Sequence, residues 1–453
     1  MKNTILKYII CFIALLNIGC EDYLEVESPI NQYNYQSIFQ DESMVRASMN
    51  QLYADLRDKG FLSGQIGGFS VYSGLYTDEL ESFRTNDFNT YSIYNNTIQA
   101  NNPVVNQLWQ QTYNQIYHSN SIIEGCLNAN ALSDTFKNQM TAEALFIRSL
   151  LHFQLVEVFN DIPFVTTTNL VDNSKVYRKP KEEIYQFIKQ DLLKAINLTN
   201  ESVDENRIVI NKFVIYTLLA RIELYDQNWS KAKEYAEIVN QNANYIWQGD
   251  ISNEFKRNNK AIIWQLPPRT LGYPTNEGST YFFQSGPTTT MALTNQLINL
   301  FETDDLRFNI WTRKVVNEET WYHAYKYKQR VIESNSEEFS VIFRLNEINL
   351  ILAETNYHLG NSANAIDYLN KSRQRAGLQP IVNNRNLLNE ILEERSREFF
   401  CEFGHRFFDL KRYNLLDNVL QSVKSNWKSH HKFWPIPEEE MLKNKNLTQN
   451  PGY

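Results

Sequence analysis

The sequence predicts a mostly α-helical protein in which helix pairs stack into a right-handed superhelical scaffold, interrupted by one loop-rich region with a few short strands. Three observations carry this reading. Apolar residues recur at spacings of three and four over several long stretches, the period of one helix face. Two of those stretches match each other at a fixed separation, as structural repeats do. Gly (15) and Pro (12) are scarce among 453 residues, whereas an all-β sandwich or propeller needs many turns.

In chain order, the opening MKNTILKYIICFIALLNIGC places Lys2 and Lys7 before an apolar run from Tyr8 to Leu16. A basic start and a short apolar core form an export signal, because a membrane-spanning helix needs about 20 apolar residues. Gly19 before Cys20 suits lipoprotein processing, although Asn17 stands where a Leu is usual. Residues 1–19 are therefore expected to be a lipoprotein signal peptide and Cys20 the lipidated residue. Glu21 and Asp22 follow, as in some surface-exported lipoproteins. Of the other cysteines, Cys11 falls in the signal, and Cys126 and Cys401 sit in apolar surroundings as small buried side chains.

Residues 20–453 read as one body. A helical scaffold is expected over 40–245 and 341–412, an irregular region over 246–340, and a distinctive C-terminal stretch over 390–453. Val105, Leu108, Trp109, Tyr113 and Ile116 mark a helix from Pro103 to Leu127. Leu145, Phe146, Leu150, Phe153 and Val156 mark one from Asn138, ended at Asp161-Ile162-Pro163 because proline disfavours helical geometry before it. Ile184, Ile188 and Leu192 mark a third over Lys181 to Leu198. LLARIELYDQNWSKAKEYAEIV then matches ILAETNYHLGNSANAIDYLNKS, pairing Leu219 with Leu352, Ala220 with Ala353, Ala232 with Ala365 and Tyr235 with Tyr368. Alanines on both sides of a short Asn-containing turn let two antiparallel helices approach closely, as in tetratricopeptide-like helix pairs. AIIWQL (261–266) reads as a buried strand, and Thr320 to Val331 alternates around Trp321, Tyr325 and Tyr327. Trp109, Trp229, Trp264 and Trp434 fall on helix or strand faces and are expected in the core.

The composition sets limits on function. Lys and Arg number 44 against 52 Asp and Glu, for a formal charge of −8. Without basic runs the chain is a poor binder of phosphate backbones, which excludes nucleic acid. No G-x-S-x-G, HExxH or phosphate-binding glycine loop occurs, so hydrolase, metal and nucleotide chemistry find no motif and no cofactor is expected. His430-His431 reads as a solvated surface pair. Asp78-Glu79 and Asp304-Asp305 are adjacent acids whose side chains diverge, whereas glycosidases hold two carboxylates about 5–10 Å apart. An all-helical glycoside hydrolase stays a minor alternative.

The C-terminal third is the most informative. ILEERSREFFCEFGHRFFDLKRYN interleaves Glu394, Arg395, Glu398, Arg406, Asp409 and Arg412 with five phenylalanines and Leu410, a pattern of partly buried ion pairs. FWPIPEEEMLKNKNLTQNPGY follows, with Pro435 and Pro437 enforcing an extended segment before a short helix. Together these stretches resemble the C-terminal signatures of the SusD/RagB family of outer-membrane nutrient-binding lipoproteins. Glu394-Arg395, Glu398-Phe399, Gly404, Arg406, Asp409-Leu410, Arg412, Pro435-Ile436-Pro437, Leu447 and Gln449 to Tyr453 match the family pattern, while Tyr413 replaces its Trp and Phe403 its Glu. AEALFIRSLLHFQLVEVFNDIPFV is similar to the family's arginine-bearing helix, with Asn160 in place of Gly, and RLNEINLILAE to its repeat helix. CEDYLEVESP resembles its start.

The resemblance implies a surface-exposed lipoprotein of the outer membrane that binds an oligosaccharide without chemistry and delivers it to a SusC-like TonB-dependent transporter. Some branches of the family take peptides, which is the alternative ligand class. Sugars offer apolar faces and hydroxyl edges, so a site needs aromatic platforms beside polar groups. Two irregular, loop-like regions supply both, over 72–96 and 273–325. The first holds Tyr72, Arg84, Asn86, Phe88, Tyr91 and Tyr94, and the second Tyr273, Phe282, Phe283, Trp311, Trp321 and Tyr322. Arg148, Arg395 and Arg406 are expected to be structural ion-pair partners.

Overall fold

A computed structural model describes residues 35–453 apart from Pro287 and Asn384. The expected signal peptide, Cys20 and the CEDYLEVESP segment lie outside the described residues. The longer elements, in chain order, begin with α1 (Glu42–Asp58), α2 (Phe69–Tyr76), β1 (Leu80–Ser82) and α3 (Phe88–Tyr94). There follow α4 (Pro103–Asn128), α5 (Asp134–Phe159), α6 (Lys181–Leu198), α7 (Lys212–Tyr225) and α8 (Trp229–Asn240). The irregular region carries β2 (Ile262–Leu266), β3 (Met291–Leu293), α9 (Leu306–Trp311), β4 (Thr312–Val316), β5 (Thr320–Ala324) and β6 (Ser340–Arg344). The chain closes with α10 (Leu345–His358), α11 (Ser362–Arg375), α12 (Leu387–Phe399), α13 (His405–Arg412) and α14 (Glu438–Lys443).

Local chemistry fixes the helix starts. Asp41, Asn102, Ser133, Asn211 and Asn361 each accept backbone N–H groups of the first turn, which the helix itself leaves unpaired. Pro103 sits where its missing N–H costs nothing. From Ala142 to Phe159, α5 is buried on every side, and it packs between α4 and α6, as a helix apolar all round must. At its end Asn160 adopts φ +62°, which explains the amide residue where the family pattern has Gly.

The repeat is visible residue for residue. Helices α7 and α10 are offset by 133 in both bounds, and α8 and α11 begin at the same offset. Ala220, Ala232, Ala353 and Ala365 are all fully buried at the helix crossings. The turn residue before each second-helix cap is left-handed, Gln227 at φ +58° and Gly360 at φ +78°. The pairs stack through α8 against α10. At that junction the Trp229 ring lies on His358 with centroids 3.8 Å apart. Trp229 is thus half-buried at an inter-repeat seam and not in the core as expected. Trp109, Trp264 and Trp434 are in the core.

Strand β2 pairs antiparallel with β6, carrying Trp264 into contact with Phe146 and Phe343. The stretch expected to be loop from 72 to 96 is mostly α2, β1 and α3. Its sequence is too short in each element to show a period. Cys126 and Cys401 are free and buried, although Cys401 occupies a left-handed turn after α12 (φ +58°), not a helix. The surface reading of His430-His431 fails for one member, since His431 is buried beside Trp427 and only His430 is partly exposed.

The expected ion pairs form. Arg148 meets Asp191 at 2.7 Å, Arg395 meets Asp409 at 2.8 Å, and Arg406 meets Asp78 at 2.6 Å. Around α12 they extend into a buried network. Arg307 contacts Asp305 (2.8 Å), Glu394 (2.7 Å) and Glu398 (3.3 Å), all with fully buried side chains. Arg375 bridges Glu398 (2.5 Å) and Glu254 (2.7 Å), and Arg344 reaches Glu398 (3.1 Å) and Glu402 (2.8 Å). Burial pushes the Glu398 carboxyl up, but Arg375, Arg344 and Arg307 outweigh it and hold it far below the usual range. Replacing Arg307 with Leu leaves buried Asp305 without a cation and strips one from Glu394 and Glu398, so Arg307→Leu is expected to lower unfolding free energy by about 3–5 kcal/mol in urea titrations.

Candidate functional site

The two aromatic stretches come together through the small strands. β1 pairs antiparallel with β3 in the register Leu80↔Leu293, Glu81↔Ala292, Ser82↔Met291, and the Phe83 N–H donates to the Thr290 carbonyl at 2.9 Å. β3 packs against β5, and β5 forms a hairpin with β4 in which Val315 faces Trp321 and Arg313 faces His323. Opposed residues of an antiparallel pair share a face, so Arg313, Val315, Trp321 and His323 line one side of the hairpin. The Trp321 ring meets Phe83 edge-on, centroids 4.9 Å apart. It occupies the space a Cβ at Gly286 would fill, 2.1 Å away, so only glycine permits this approach. Asn317 Nδ2 donates to the Gly286 carbonyl at 2.7 Å and holds the covering segment in place.

Beside this junction, Asp87 caps α3 by accepting the Thr90 N–H at 3.2 Å and pairs with Arg84 at 3.4 Å. Phe88 and Tyr91, three apart, share a helix face. Phe88 is 80% exposed, Tyr91 and Tyr94 are half-buried with rings 5.8 Å apart, and Asn86 is exposed. Lys424 Nζ lies 3.8 Å over the Tyr94 ring and donates to the Leu75 and Tyr94 carbonyls. Burial pushes its ammonium down to about 7. This aromatic set is an open surface. The grooves of about 410 Å³, between Trp109, Tyr117 and Leu447, and about 1020 Å³, beside Arg46 and Arg269, contain none of its residues.

Two candidates belong to the core instead. Tyr72 is 5% exposed on α2, because that segment is a buried helix and not a loop. Trp311 is 1% exposed at the end of α9, its indole N–H donated to the Ile251 carbonyl at 3.3 Å. Tyr322 turns to the opposite face of β5 from Trp321 and packs on Phe308 at 5.4 Å. Phe282 and Phe283 are half-buried against His323, at 5.4 and 5.1 Å. Tyr273 is exposed on a separate loop tied to Ser336. Sequence reasoning passed over Phe83, which lies past the end of β1 without periodic neighbours. Tyr325 belongs to the same alternation that marks β5 and lies beyond the strand's end.

Three of the four acids in the adjacent pairs face protein partners, and Asp304 is exposed. Asp78 accepts two bonds from Arg406 at 2.9 and 2.6 Å, and Asp305 caps α9 while binding Arg307. Glu79 is buried and accepts the Cys401 N–H at 3.3 Å. Among the described residues no group of His, Cys, Asp or Glu is arranged to hold a metal ion, and no helix is long and apolar enough to cross a membrane.

Comparison with known proteins places this architecture. A sequence profile described as the SusD family matches residues 299–453, and one described as starch-binding associating with outer membrane matches residues 22–224. Over those two spans, which together take in most of the chain, the sequence matches the SusD family. A SusD-like protein of Formosa agariphila is 24% identical over 98% of this chain and 98% of its own length. A crystal structure of a SusD superfamily protein from Bacteroides vulgatus superposes with a TM-score of 0.79 at 22% identity, over 92% of this chain and 100% of that one. A structure titled a laminarin-binding SusD-like protein gives 0.77 at 21% identity, over 91% and 100%.

The SusD signature residues act structurally here. Gln449 brackets Ile436, accepting its N–H at 2.8 Å and donating to its carbonyl at 2.9 Å. Asn450 Nδ2 donates to the Phe159 and Trp434 carbonyls, and the Tyr453 hydroxyl to that of Phe433. Tyr413, in place of the family's Trp, donates to Glu354 at 2.6 Å and contacts His358 at 2.8 Å.

In this chain Glu79 makes stability depend on pH. Burial, reinforced by Asp78, pushes its carboxyl up to about 8 from an ordinary 4.5. Between those values the folded chain keeps a proton that the unfolded chain releases, so stability falls as pH rises through that window. Glu79→Gln retains the neutral form. Its melting temperature relative to the parent's is expected to climb between pH 4.5 and 8, read by scanning calorimetry.

Proposed function

We propose that this protein is a surface-exposed outer-membrane lipoprotein, anchored through Cys20, which captures an oligosaccharide without cleaving it and delivers it to a SusC-like TonB-dependent transporter. The family match supports the architecture and the class of ligand. The observation that carries the ligand reading is the Trp321–Phe83 edge contact. It joins two stretches far apart in sequence into one open surface with Arg84, Asn86, Phe88, Tyr91 and Tyr94. Half-exposed rings beside amide and guanidinium groups suit the apolar faces and hydroxyl edges of sugars. A ligand that must be released to a transporter is better served by an open platform than by an enclosing pocket.

Residues 21–453 are expected to bind an oligosaccharide saturably in calorimetry and to leave it intact by chromatography. Cleavage of the bound sugar would overturn the binder reading. Trp321→Ala and Tyr91→Ala are each expected to weaken binding by about 1–3 kcal/mol, with melting temperature recorded beside affinity to separate lost stacking from lost packing. Unaltered affinity in both removes this surface from the site. Cys20→Ala is expected to release the protein from the membrane fraction of intact cells, and undiminished retention refutes the anchor.

A further inference from the structure

The hairpin face that carries Trp321 continues into a concentration of positive charge. Tyr325 follows β5, and three cations surround its ring. Arg313 lies 5.4 Å from the ring centroid, Arg330 5.2 Å and Lys328 5.7 Å. Arg330 also stacks 4.7 Å from Phe282. Among the described residues none of the three has a carboxylate within 4 Å, although this chain pairs most of its buried cations. Arg313 is exposed, and Lys328 and Arg330 are half-buried.

Three like charges around one ring repel one another, and the attraction of a single ring for cations does not offset that. Arg330 gives one N–H to the Gly278 carbonyl, while its Nε and Nη2 are buried without an acceptor. Beside it His323 is 1% exposed, with Nδ1 against the Ala324 carbonyl and Nε2 unpartnered. Of the acids whose fields reach these cations, Glu338 is engaged by the backbone N–H groups of Lys328 and Gln329, and Asp250 acts on Lys328. Burial first, then the fields of Arg330 and Arg313, push His323 down to about 4, so the positive potential is not neutralised from within.

We infer that the glycan captured here is anionic, carrying carboxylate or sulfate ester groups that seat against Arg313, Lys328 and Arg330 around Tyr325, with Trp321 stacking on a neighbouring sugar ring. This rests on the glycan-capture reading above and adds the charge of the ligand. An oxyanion beside Tyr325 meets the exposed Arg313 guanidinium directly and supplies counter-charge to the half-buried Lys328 and Arg330. The net charge of −8 repels polyanions at long range, so the patch selects a local anionic group on an oligosaccharide and not an extended polyanion.

The test is calorimetry of residues 21–453 against size-matched oligosaccharides from alginate, polygalacturonate, a sulfated galactan, a neutral galactan and a neutral β-glucan, with an acidic peptide as control. Binding confined to anionic sugars is expected, weakened on the order of tenfold in Arg313→Gln and again at raised salt. Arg313→Lys restores it in part. Among the described residues the exposed Arg313 makes no ion pair, only its contact with the Tyr325 ring, so its variants report mainly on the ligand, with melting temperature as the check. The uronates and the sulfated galactan separate carboxylate from sulfate ester. Equal or tighter binding of neutral sugars, or an unchanged affinity in Arg313→Gln, overturns the inference and leaves glycan capture standing. Binding of the peptide alone, or of no sugar, overturns both.

Discussion

The buried charge network around α12 is the constraint on which the rest depends. Glu394, Glu398 and Glu402 project from one helix and its turn toward Arg307 of α9, Arg344 of β6, Arg375 of α11 and Lys326 after β5. Repeat helices and irregular strands are thereby tied to a single centre. Removing several charges from water is costly, and the cost is recovered only when each is met by opposite charge in good geometry. The network therefore admits few arrangements of the irregular region, which apolar packing alone would leave free to shift.

A second set of contacts fastens the C-terminus. The Trp434 N–H bonds to the Val158 carbonyl, and Asn450 to that of Phe159, at the end of α5. The final residues thus close over the longest buried helix, and Tyr76 reaches the His431 carbonyl from α2. The same α2 leads into β1 and the candidate surface. A rigid body beneath an open aromatic platform keeps that platform in shape without enclosing it.

Much of the helical scaffold was legible because long helices repeat their apolar residues many times. The repeat at offset 133 was readable from four alanines, since only small side chains allow two helices so close. The stretch 72–96 was not legible. Each of α2, β1 and α3 is too short for a period to stand out, and so Tyr72 could not be told from a loop aromatic. Trp311 presents the same difficulty at the end of a six-residue helix. The buried half of His430-His431 depends on Trp427 and Tyr453, which no local pattern announces.

Local spacing and recurring residue order suffice to mark the helix pairs, the two aromatic stretches and the charged C-terminal motif. Tertiary structure decided which aromatics face outward, that Phe83 meets Trp321 across more than two hundred residues, and that Arg313, Lys328 and Arg330 gather around Tyr325. Those outcomes depend on strand register and on a glycine at 286 that lets an indole lie against the backbone. Such pairings join residues with no local relation, so spacing along the chain carries no record of them.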